Sequence, residues 1–268
     1  MSIQILSDLH LEAPKAYDVF EITPRAPYLA LAGDIGTVVA HKADCLAFLT
    51  RQLARFRAVL FVPGNHEAYH STWDEMLQTL REFEEEVRRD ASLGEFVLLD
   101  RRSFRVPGCN NTVVLGCSLF SHVPEHSHES VSFGVNDFYH TQGWDVAAHN
   151  AAHARDLAWL NDEVAALEKT EQDVEIVIVT HWSPSRDPRA SDLRHGQSPI
   201  SCAFSTDLSG ERCFASPRTK MWVFGHTHFN CDFAVEREGR RPLRVIANQR
   251  GYYFSQAAGF DPEMVLEM

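Results

Sequence analysis

The sequence predicts an α/β fold, and three observations support this prediction. Strand-like and helix-like patterns alternate along the first third of the chain. Hydrophobic residues make up 44% and charged residues 23% of the 268 residues, which is the composition of a soluble globular protein with a sizeable core. No segment rich in Pro, Gly and Ser separates two halves, so we expect one domain over residues 1–268.

The N-terminal third contains three predicted strands and one helix. Apolar runs rich in aliphatic residues predict the strands at 2–7, 28–32 and 58–62. The helix lies near residues 42–57, between the last two strands. Its apolar residues recur at spacings of three and four and therefore share one face: Leu46, Leu49, Leu53 and Phe56.

Two later helices and five later strands complete the predicted elements. Thr72 and Glu75 form a capping box at the start of one helix, and the second helix covers about residues 146–168. The strands are predicted at 112–119, 174–180, 221–224, 231–236 and 243–247, the last two as a hairpin. Residues 121–142 and 182–219 lack periodicity, and we expect both to be long loops at the active site.

Charge and composition exclude several classes of protein. The 25 basic and 37 acidic residues give a formal net charge of −12, which repels a DNA backbone or an anionic membrane surface. No window reaches the ~18 apolar residues of a membrane span, and the N-terminus has no secretory-signal pattern. Six scattered cysteines without a CxxC pair are typical of reduced thiols. We therefore expect a cytoplasmic protein; its oligomeric state is left open.

Metal-binding residue types follow five of the predicted strands. Strands of an α/β sheet present their carboxyl ends at one edge, so we expect these clusters to converge there. The Asp8–Asp34 and Asp34–Asn65 separations are each close to the ~30 residues of one βαβ unit. The clusters are Asp8-Leu9-His10, Gly33-Asp34, Gly64-Asn65-His66-Glu67, His181 and Gly225-His226-Thr227-His228.

These residue types indicate two metal ions. Carboxylate oxygens and imidazole nitrogens, without thiolates, favour Mn, Fe, Zn or a similar divalent ion. Seven ligands are too many for one tetrahedral ion, and two ions that share Asp34 as a bridging carboxylate account for the number. Enzymes commonly use such a pair of metal ions to catalyse nucleophilic attack on phosphorus. The seven candidate ligands are Asp8, His10, Asp34, Asn65, His181, His226 and His228.

In this order, the five clusters resemble the motifs of calcineurin-like metallophosphoesterases across nearly the whole chain. The segments 136-NDFYH-140, 181-HWSPS-185, 203-AFSTDL-208 and 248-NQRGY-252 resemble a branch of small, single-domain members. The resemblance implies a four-layer α-β-β-α sandwich, in which two mixed sheets are flanked by helices. It also implies one ion site of Asp8, His10, Asp34 and His228 and another of Asp34, Asn65, His181 and His226.

At several positions the sequence differs from known relatives, and these differences limit the functions that the resemblance implies. Purple acid phosphatases have a metal-binding Tyr three residues after the bridging Asp, where this chain has Thr37. Phosphoprotein phosphatases have Asp-Arg-Gly after the same Asp, where this chain has residues 35–37 as Ile-Gly-Thr. A dedicated protein phosphatase is therefore less favoured. Close relatives often have a second His at the position of Trp182, which leaves the substrate side of that motif open.

We interpret the chain as a binuclear metal-dependent hydrolase of phosphate esters, with a metal-bridging hydroxide as the nucleophile. Asp34 and His66 are the candidate catalytic residues. His66 is expected to protonate the leaving oxygen, because Asn65 beside it supplies the ligand and a histidine exchanges protons near neutral pH. Substrate contacts are expected from Asn65, His66, Arg250 in a late Gly-containing loop, and His126 in the 121–142 loop.

Small phosphodiesters such as cyclic nucleotides are the favoured substrates, because some single-domain relatives act on them. A phosphomonoesterase or a protein phosphatase on the same site is the alternative. An alternative of another class is an inactive protein-binding scaffold, although such members usually lose motif histidines that this chain has. A nuclease is disfavoured by the net charge and by the lack of a basic, aromatic stripe.

Overall fold

The computed structural model describes residues 2–109, 111–192, 198–237, 239 and 241–267. The strands of this part of the chain are β1 (Ser2–Leu6), β2 (Tyr28–Leu31), β3 (Ala58–Phe61), β4 (Glu95–Leu98), β5 (Arg102–Arg105), β6 (Thr112–Cys117), β7 (Glu175–Thr180), β8 (Thr219–Phe224), β9 (Cys231–Val235), β10 (Leu243–Ala247), β11 (Gly251–Tyr252), β12 (Ser255–Gln256) and β13 (Val265–Glu267). The helices are α1 (Lys42–Leu53), α2 (Trp73–Val87), α3 (His128–Gly134), α4 (Asp137–His140), α5 (Val146–Thr170) and α6 (Arg212–Ala215).

The strands form two large mixed sheets. The first sheet has the order β13-β1-β2-β3-β4, with β1 to β4 parallel and β13 antiparallel to β1. The second has the order β5-β6-β7-β8-β10-β9, with its four central strands parallel and both edge strands antiparallel. A short hairpin of β11 and β12 lies outside both sheets. The predicted hairpin of the last two long strands is confirmed as β9 and β10.

The two sheets pack face to face, and helices cover their outer faces. Ile5 of the first sheet and Val177 of the second lie in one buried cluster between the sheets. Leu31, from the other face of the first sheet, packs in a cluster with the apolar faces of α1 and α2. Ile178, from the other face of the second sheet, packs with the face of α5 that carries Leu160. The predicted four-layer α-β-β-α arrangement is therefore confirmed.

The predicted helix starts are confirmed, and one predicted end is too late. Thr72 accepts a hydrogen bond from the Glu75 backbone at 3.1 Å, and the Glu75 carboxylate accepts one from the Thr72 backbone at 3.0 Å, which completes the capping box. Helix α5 runs from Val146 to Thr170, close to its predicted range. Helix α1 ends at Leu53 instead of near residue 57. The N–H of Arg57 donates to the Pro27 carbonyl at 2.8 Å, because the chain has already turned toward β3 at this residue.

Five strands were not predicted from the sequence: β11 and β12 form the short hairpin, and the other three lie at edges of the two large sheets. These three are β4, β5 and β13, which are three or four residues long and contain charged residues. Edge strands tolerate exposed charges, which also discourage pairing with other chains. β5 and β13 therefore show no long apolar run, whereas β4 lies in the apolar run 96–99, which the sequence reasoning passed over.

The two predicted long loops contain short helices. Residues 121–142 form α3 and α4, and residues 182–219 contain α6. Helices of four to seven residues are too short to show a helical period in sequence. Residues 193–197 of the second stretch lie outside the described residues. In the described part of the chain no helix is both long and apolar enough to span a bilayer. The six cysteines have free thiols, as predicted, and four are buried.

Candidate metal and active site

Five loops at one edge of the packed sheets carry the predicted metal-binding residues. The loops after β1, β2 and β3 come from the first sheet, and the loops after β7 and β8 come from the second. Each follows the carboxyl end of a parallel strand, so the side chains meet at the edge that the two sheets share. The structure brings together all seven candidate ligands: Asp8, His10, Asp34, Asn65, His181, His226 and His228.

The seven residues form two groups that meet at Asp34. In the first group, His228 Nε2 lies 3.3 Å from Asp8 Oδ1 and 2.9 Å from His10 Nε2. In the second group, His181 Nε2 lies 3.4 Å from Asp34 Oδ1. The other oxygen of Asp34, Oδ2, lies 3.9 Å from His10 Nε2. Each carboxylate oxygen of Asp34 therefore faces a different group.

The donor set fits divalent transition-metal ions. The ligand atoms lie within 4.8 Å of one another in each of two sets, Asp8 with His10 and His228, and Asp34 with His181 and His226. Carboxylate oxygens and imidazole nitrogens suit Mn, Fe and Zn. All of the seven candidate ligands except His228 are buried. Buried carboxylates need a partner of opposite charge, which a bound cation supplies.

Strained backbone concentrates at these residues. Of the nine non-glycine residues with positive φ in the described part of the chain, five are candidate ligands. They are Asp8 at 54°, His10 at 47°, Asp34 at 53°, His226 at 70° and His228 at 48°. Such backbone costs on the order of 1–3 kcal/mol per residue and is typical of functional sites. The surrounding fold therefore stabilises an unfavourable backbone that aims these side chains at one place.

Two glycines allow the loops to approach closely. A Cβ atom on Gly33, whose φ is +89°, would lie 2.3 Å from His181 Nδ1. A Cβ atom on Gly64 would lie 2.3 Å from Asp34 Oδ1. Any side chain at either position would displace a candidate ligand.

The Glu67 carboxylate joins the loops after β2 and β3. It is fully buried and accepts hydrogen bonds from the backbone N–H groups of Asp34 at 3.0 Å, Ile35 at 2.8 Å and Gly64 at 2.7 Å. The sequence placed Glu67 in a cluster without giving it a role. Its observed role is to hold the two loops that present Asp34 and Asn65.

The carboxylates of Asp34 and Asp8 have lowered pKa values and stay ionised at neutral pH. Burial raises the pKa of Asp34, but the imidazoles of His181 and His66 outweigh burial and hold that pKa well below its usual value. Burial also raises the pKa of Asp8, but the hydrogen bond from His228 and the charge of His181 together outweigh burial and hold that pKa below its usual value. In turn, burial lowers the pKa of His181, but Asp34 raises it to about 10. A metal ion that binds here displaces a proton.

His66 is held between Glu12 and Asp34. Its Nδ1 lies 2.7 Å from Glu12 Oε1, and its Nε2 lies 3.9 Å from Asp34 Oδ2. Burial lowers the pKa of His66, but these two carboxylates raise it to about 9. Glu12 Oε1 also lies 3.3 Å from His10 Nδ1. Sequence reasoning missed Glu12, because nothing but its place two residues after His10 distinguishes it.

Asn65 is held by a buried pair, Tyr69 and Asp137. The amide nitrogen of Asn65 donates to Asp137 Oδ1 at 2.8 Å and to the Tyr69 hydroxyl at 3.1 Å. The Tyr69 hydroxyl donates to the same Asp137 oxygen at 2.6 Å. On the other side of the amide, Asn65 Oδ1 lies 3.1 Å from His181 Nε2. Asp137 lies in the segment 136-NDFYH-140, which was a sequence signal for the family branch but not for this contact.

A cavity of about 510 Å³ opens onto the site. Asp34, Asn65, His66, His226 and His228 lie among the residues that line it. Its apolar lining includes Val135, Ile200, Phe204 and Tyr252, and Arg186 and several serines also line it. The Phe204 ring stacks on the His226 ring, with centroids 5.0 Å apart.

The structure does not bring two predicted substrate contacts to this cavity. Arg250 Nη1 donates to the Leu9 carbonyl at 2.8 Å, and its guanidinium lies 4.9 Å from the Phe20 ring centroid. His126 is exposed in a turn. Neither residue is among the residues that line the cavity, whereas Arg186 is one of them. Arg186 is anchored by two hydrogen bonds of 3.2 Å to the Ser205 carbonyl.

Trp182 forms the wall behind His226. Its side chain is fully buried, and its ring centroid lies 4.6 Å from that of His226 and 4.5 Å from that of Phe120. Its Nε1 donates to the Ala203 carbonyl at 3.0 Å. The sequence left the role of this position open. In the structure, Trp182 is a buried side chain that packs against the candidate ligand His226.

Comparisons with known proteins agree with this geometry. The sequence profile described as calcineurin-like phosphoesterase matches residues 1–230. No curated protein sequence matches the chain. Among solved structures, the phosphopantetheinyl hydrolase of Mycobacterium tuberculosis is similar, with a TM-score of 0.64 and 17% sequence identity, over 94% of this chain and 89% of that chain. At this identity the likeness shows the fold alone.

Proposed function

The chain belongs to the calcineurin-like phosphoesterase family, and from this premise we propose that it is a binuclear enzyme that hydrolyses small phosphodiesters. Family membership makes it a metal-dependent phosphoesterase. The observation that carries the binuclear proposal is the position of Asp34. Its two oxygens face two different groups of ligand residues, at 3.4 Å from His181 and at 3.9 Å from His10.

The residues of the two groups would hold one ion each. One ion is assigned to Asp8, His10, Asp34 and His228, and the other to Asp34, Asn65, His181 and His226. Bound there, a pair of Mn, Fe, Zn or similar divalent ions supplies positive charge beside the phosphoryl oxygens and lowers the pKa of water. Asp34 is the residue on which both ions depend.

His66 is the proton donor of the proposed reaction. Burial lowers the pKa of His66, but Asp34 and Glu12 raise it, which favours the protonated ring. Because Glu12 engages Nδ1, the nitrogen left to face Asp34 is Nε2. That nitrogen donates its proton to the leaving oxygen of the ester.

The cavity supports a small ester with an organic group on the phosphate. Its volume of about 510 Å³ lies within the range of small-molecule sites. Val135, Ile200, Phe204 and Tyr252 give it an apolar lining, and Arg186 adds one guanidinium. A diester has one negative charge and two organic groups, whereas a monoester has nearly two charges and one organic group. This lining therefore favours a diester over a monoester.

Cyclic nucleotides are the first candidates among the diesters, because Phe204 and Tyr252 offer aromatic faces for a base. The phosphopantetheinyl hydrolase of similar structure adds a phosphopantetheinyl ester to the panel of substrates. A nuclease activity is disfavoured by the net charge of −12. An inactive scaffold is disfavoured because the full set of candidate ligands is present.

Two further expectations stay proposals. Pairing of β13 with β1, in which Leu266 lies opposite Ile3, supports a single domain over residues 1–268. The free thiols of the six cysteines support a cytoplasmic location.

The test is a comparison of substrates after removal and return of metal. The protein is treated with a chelator, dialysed, and assayed with Mn, Fe or Zn on nitrophenyl phosphate, bis-nitrophenyl phosphate, cyclic nucleotides and a phosphopantetheinyl ester. We expect kcat/KM to be at least about tenfold higher for a diester than for the monoester, a difference of about 1.4 kcal/mol. A higher value for the monoester would refute the diester preference.

A further inference from the structure

Asp137 lies at the nitrogen end of the Asn65 amide. Asp137 is buried, with 4% of its surface exposed. Its Oδ1 accepts hydrogen bonds from Asn65 Nδ2 at 2.8 Å and from the Tyr69 hydroxyl at 2.6 Å. Tyr69 also accepts from the same amide nitrogen at 3.1 Å. Two acceptors thus face one end of the Asn65 amide.

The chemistry of these groups permits one orientation of the amide. Asp137 Oδ1 accepts both of these hydrogen bonds, so the end of the Asn65 amide that faces it is the donor end, the amide nitrogen. The reversed amide would set its own oxygen against the carboxylate and leave buried polar atoms without partners. The observed orientation points Oδ1 to His181, whose Nε2 lies 3.1 Å away.

A metal ion can bind the oxygen of the Asn65 amide but not its nitrogen. An amide nitrogen has two N–H donors and offers no ligand atom, whereas the amide oxygen has two lone pairs. Asn65 Oδ1 lies beside His181 Nε2, and that nitrogen lies 3.4 Å from Asp34 Oδ1. The amide oxygen therefore joins the group formed by Asp34, His181 and His226.

We infer that Asp137 is a positioning residue that makes Asn65 an oxygen ligand of the ion assigned to Asp34, Asn65, His181 and His226. The inference rests on the proposed binuclear function. It also gives a role to α4, which lies in a stretch that we expected to be a loop. Through Asp137, this short helix would orient a ligand of that ion without binding the ion itself.

The primary experiment measures the affinity of each of the two ions in variants of Asp137. Mn²⁺ is titrated into metal-free protein against a competing chelator, and bound metal is counted by elemental analysis. In Asp137→Ala we expect one of the two ions to bind about 10- to 100-fold more weakly, the usual effect of losing an outer partner of a metal ligand, with the other ion unaffected. Asp137→Asn retains an acceptor oxygen and should lose less. Glu129→Ala, which removes an exposed carboxylate of α3, is the matched control and should bind both ions as the wild type does.

An exchange of the two side chains gives a second test that does not depend on Asp137→Ala folding. In Asn65→Asp, two carboxylates face each other across the present 2.8 Å contact, so metal affinity at that site should fall although a carboxylate is a good ligand. The double variant Asn65→Asp/Asp137→Asn restores a donor opposite an acceptor and should recover the lost affinity. A residue with a merely structural role would not produce this recovery.

The outcomes separate this inference from the proposed function. Wild-type protein that binds fewer than two ions refutes the binuclear proposal itself. If the wild type binds two ions, then unchanged affinities in Asp137→Ala, an equal loss at both ions, or no recovery in the double variant would each overturn the role of Asp137.

Discussion

Nδ1 of His66 lies 2.7 Å from Oε1 of Glu12, and the same Glu12 oxygen lies 3.3 Å from Nδ1 of His10. One carboxylate oxygen thus serves both a candidate metal ligand and the candidate acid. In both rings the Nε2 atom faces Asp34, at 3.9 Å in each case. Glu12 therefore fixes the orientation of two imidazoles around Asp34.

His66→Ala should retain both ions and lose turnover, because His66 acts as an acid and not as a ligand. On esters with poor leaving groups we expect kcat to fall by roughly 10²–10⁴. The loss should shrink for nitrophenyl esters, whose leaving group needs no proton. Kinetics on both kinds of ester, with metal content measured on the same samples, test this. An equal loss on both kinds would show that His66 positions the substrate instead.

Glu12→Ala should lower kcat by about 10- to 100-fold, the usual effect of removing an outer partner of a site residue. If Glu12 acts mainly through His66, the double variant Glu12→Ala/His66→Ala should be no slower than His66→Ala alone. Glu12→Gln retains an acceptor oxygen and should be less impaired than Glu12→Ala. Additive losses in the double variant would mean that Glu12 acts independently of His66.

Glu67→Ala should destabilise the fold, because it leaves the buried N–H groups of Asp34, Ile35 and Gly64 without their acceptor. Each such group costs about 1–3 kcal/mol, so we expect the free energy of unfolding to fall by about 3 kcal/mol or more. Urea denaturation of metal-free protein measures this change without a contribution from metal binding. Glu67→Gln retains one acceptor oxygen and should lose less. Wild-type stability in Glu67→Ala would refute the role assigned to this carboxylate.

The protein should show no measurable binding to duplex DNA at about 150 mM salt, where the electrostatic screening length is ~8 Å. The reason is the net charge of −12, which opposes a polyanion. Small esters should show weak salt dependence. Micromolar binding of duplex DNA, with affinity that falls steeply as salt rises, would instead indicate a basic groove and a nuclease.

The sequence predicted that the candidate ligands converge, because each follows the carboxyl end of a parallel strand. Asp34 and His181, for example, are brought together by the α/β topology itself, without any special contact. The edge strand β5 was not predicted, because its Arg-Ser-Phe-Arg sequence has no apolar run. Local pattern therefore predicts the central strands and the ligand-bearing loops at their carboxyl ends, and of the four edge strands of the two large sheets it predicts only β9.

The contacts that support the ligands could not be read from sequence. Asn65 and Asp137 are 72 residues apart, and no spacing rule connects them. Arg250 was expected at the substrate because of its loop, but the Leu9 carbonyl and the Phe20 ring hold its guanidinium elsewhere. Residue type and loop position do not determine the direction of a long side chain; the packing around it does.

The central claim is that this enzyme needs two metal ions that share Asp34. The most direct measurement is stepwise return of Mn²⁺ to metal-free protein, with bound metal and hydrolysis of bis-nitrophenyl phosphate measured at each step. We predict that activity reaches its plateau at two ions per chain and that Asp34→Asn binds both ions weakly. Full activity with one bound ion, or undiminished activity in the presence of chelator, would contradict the account.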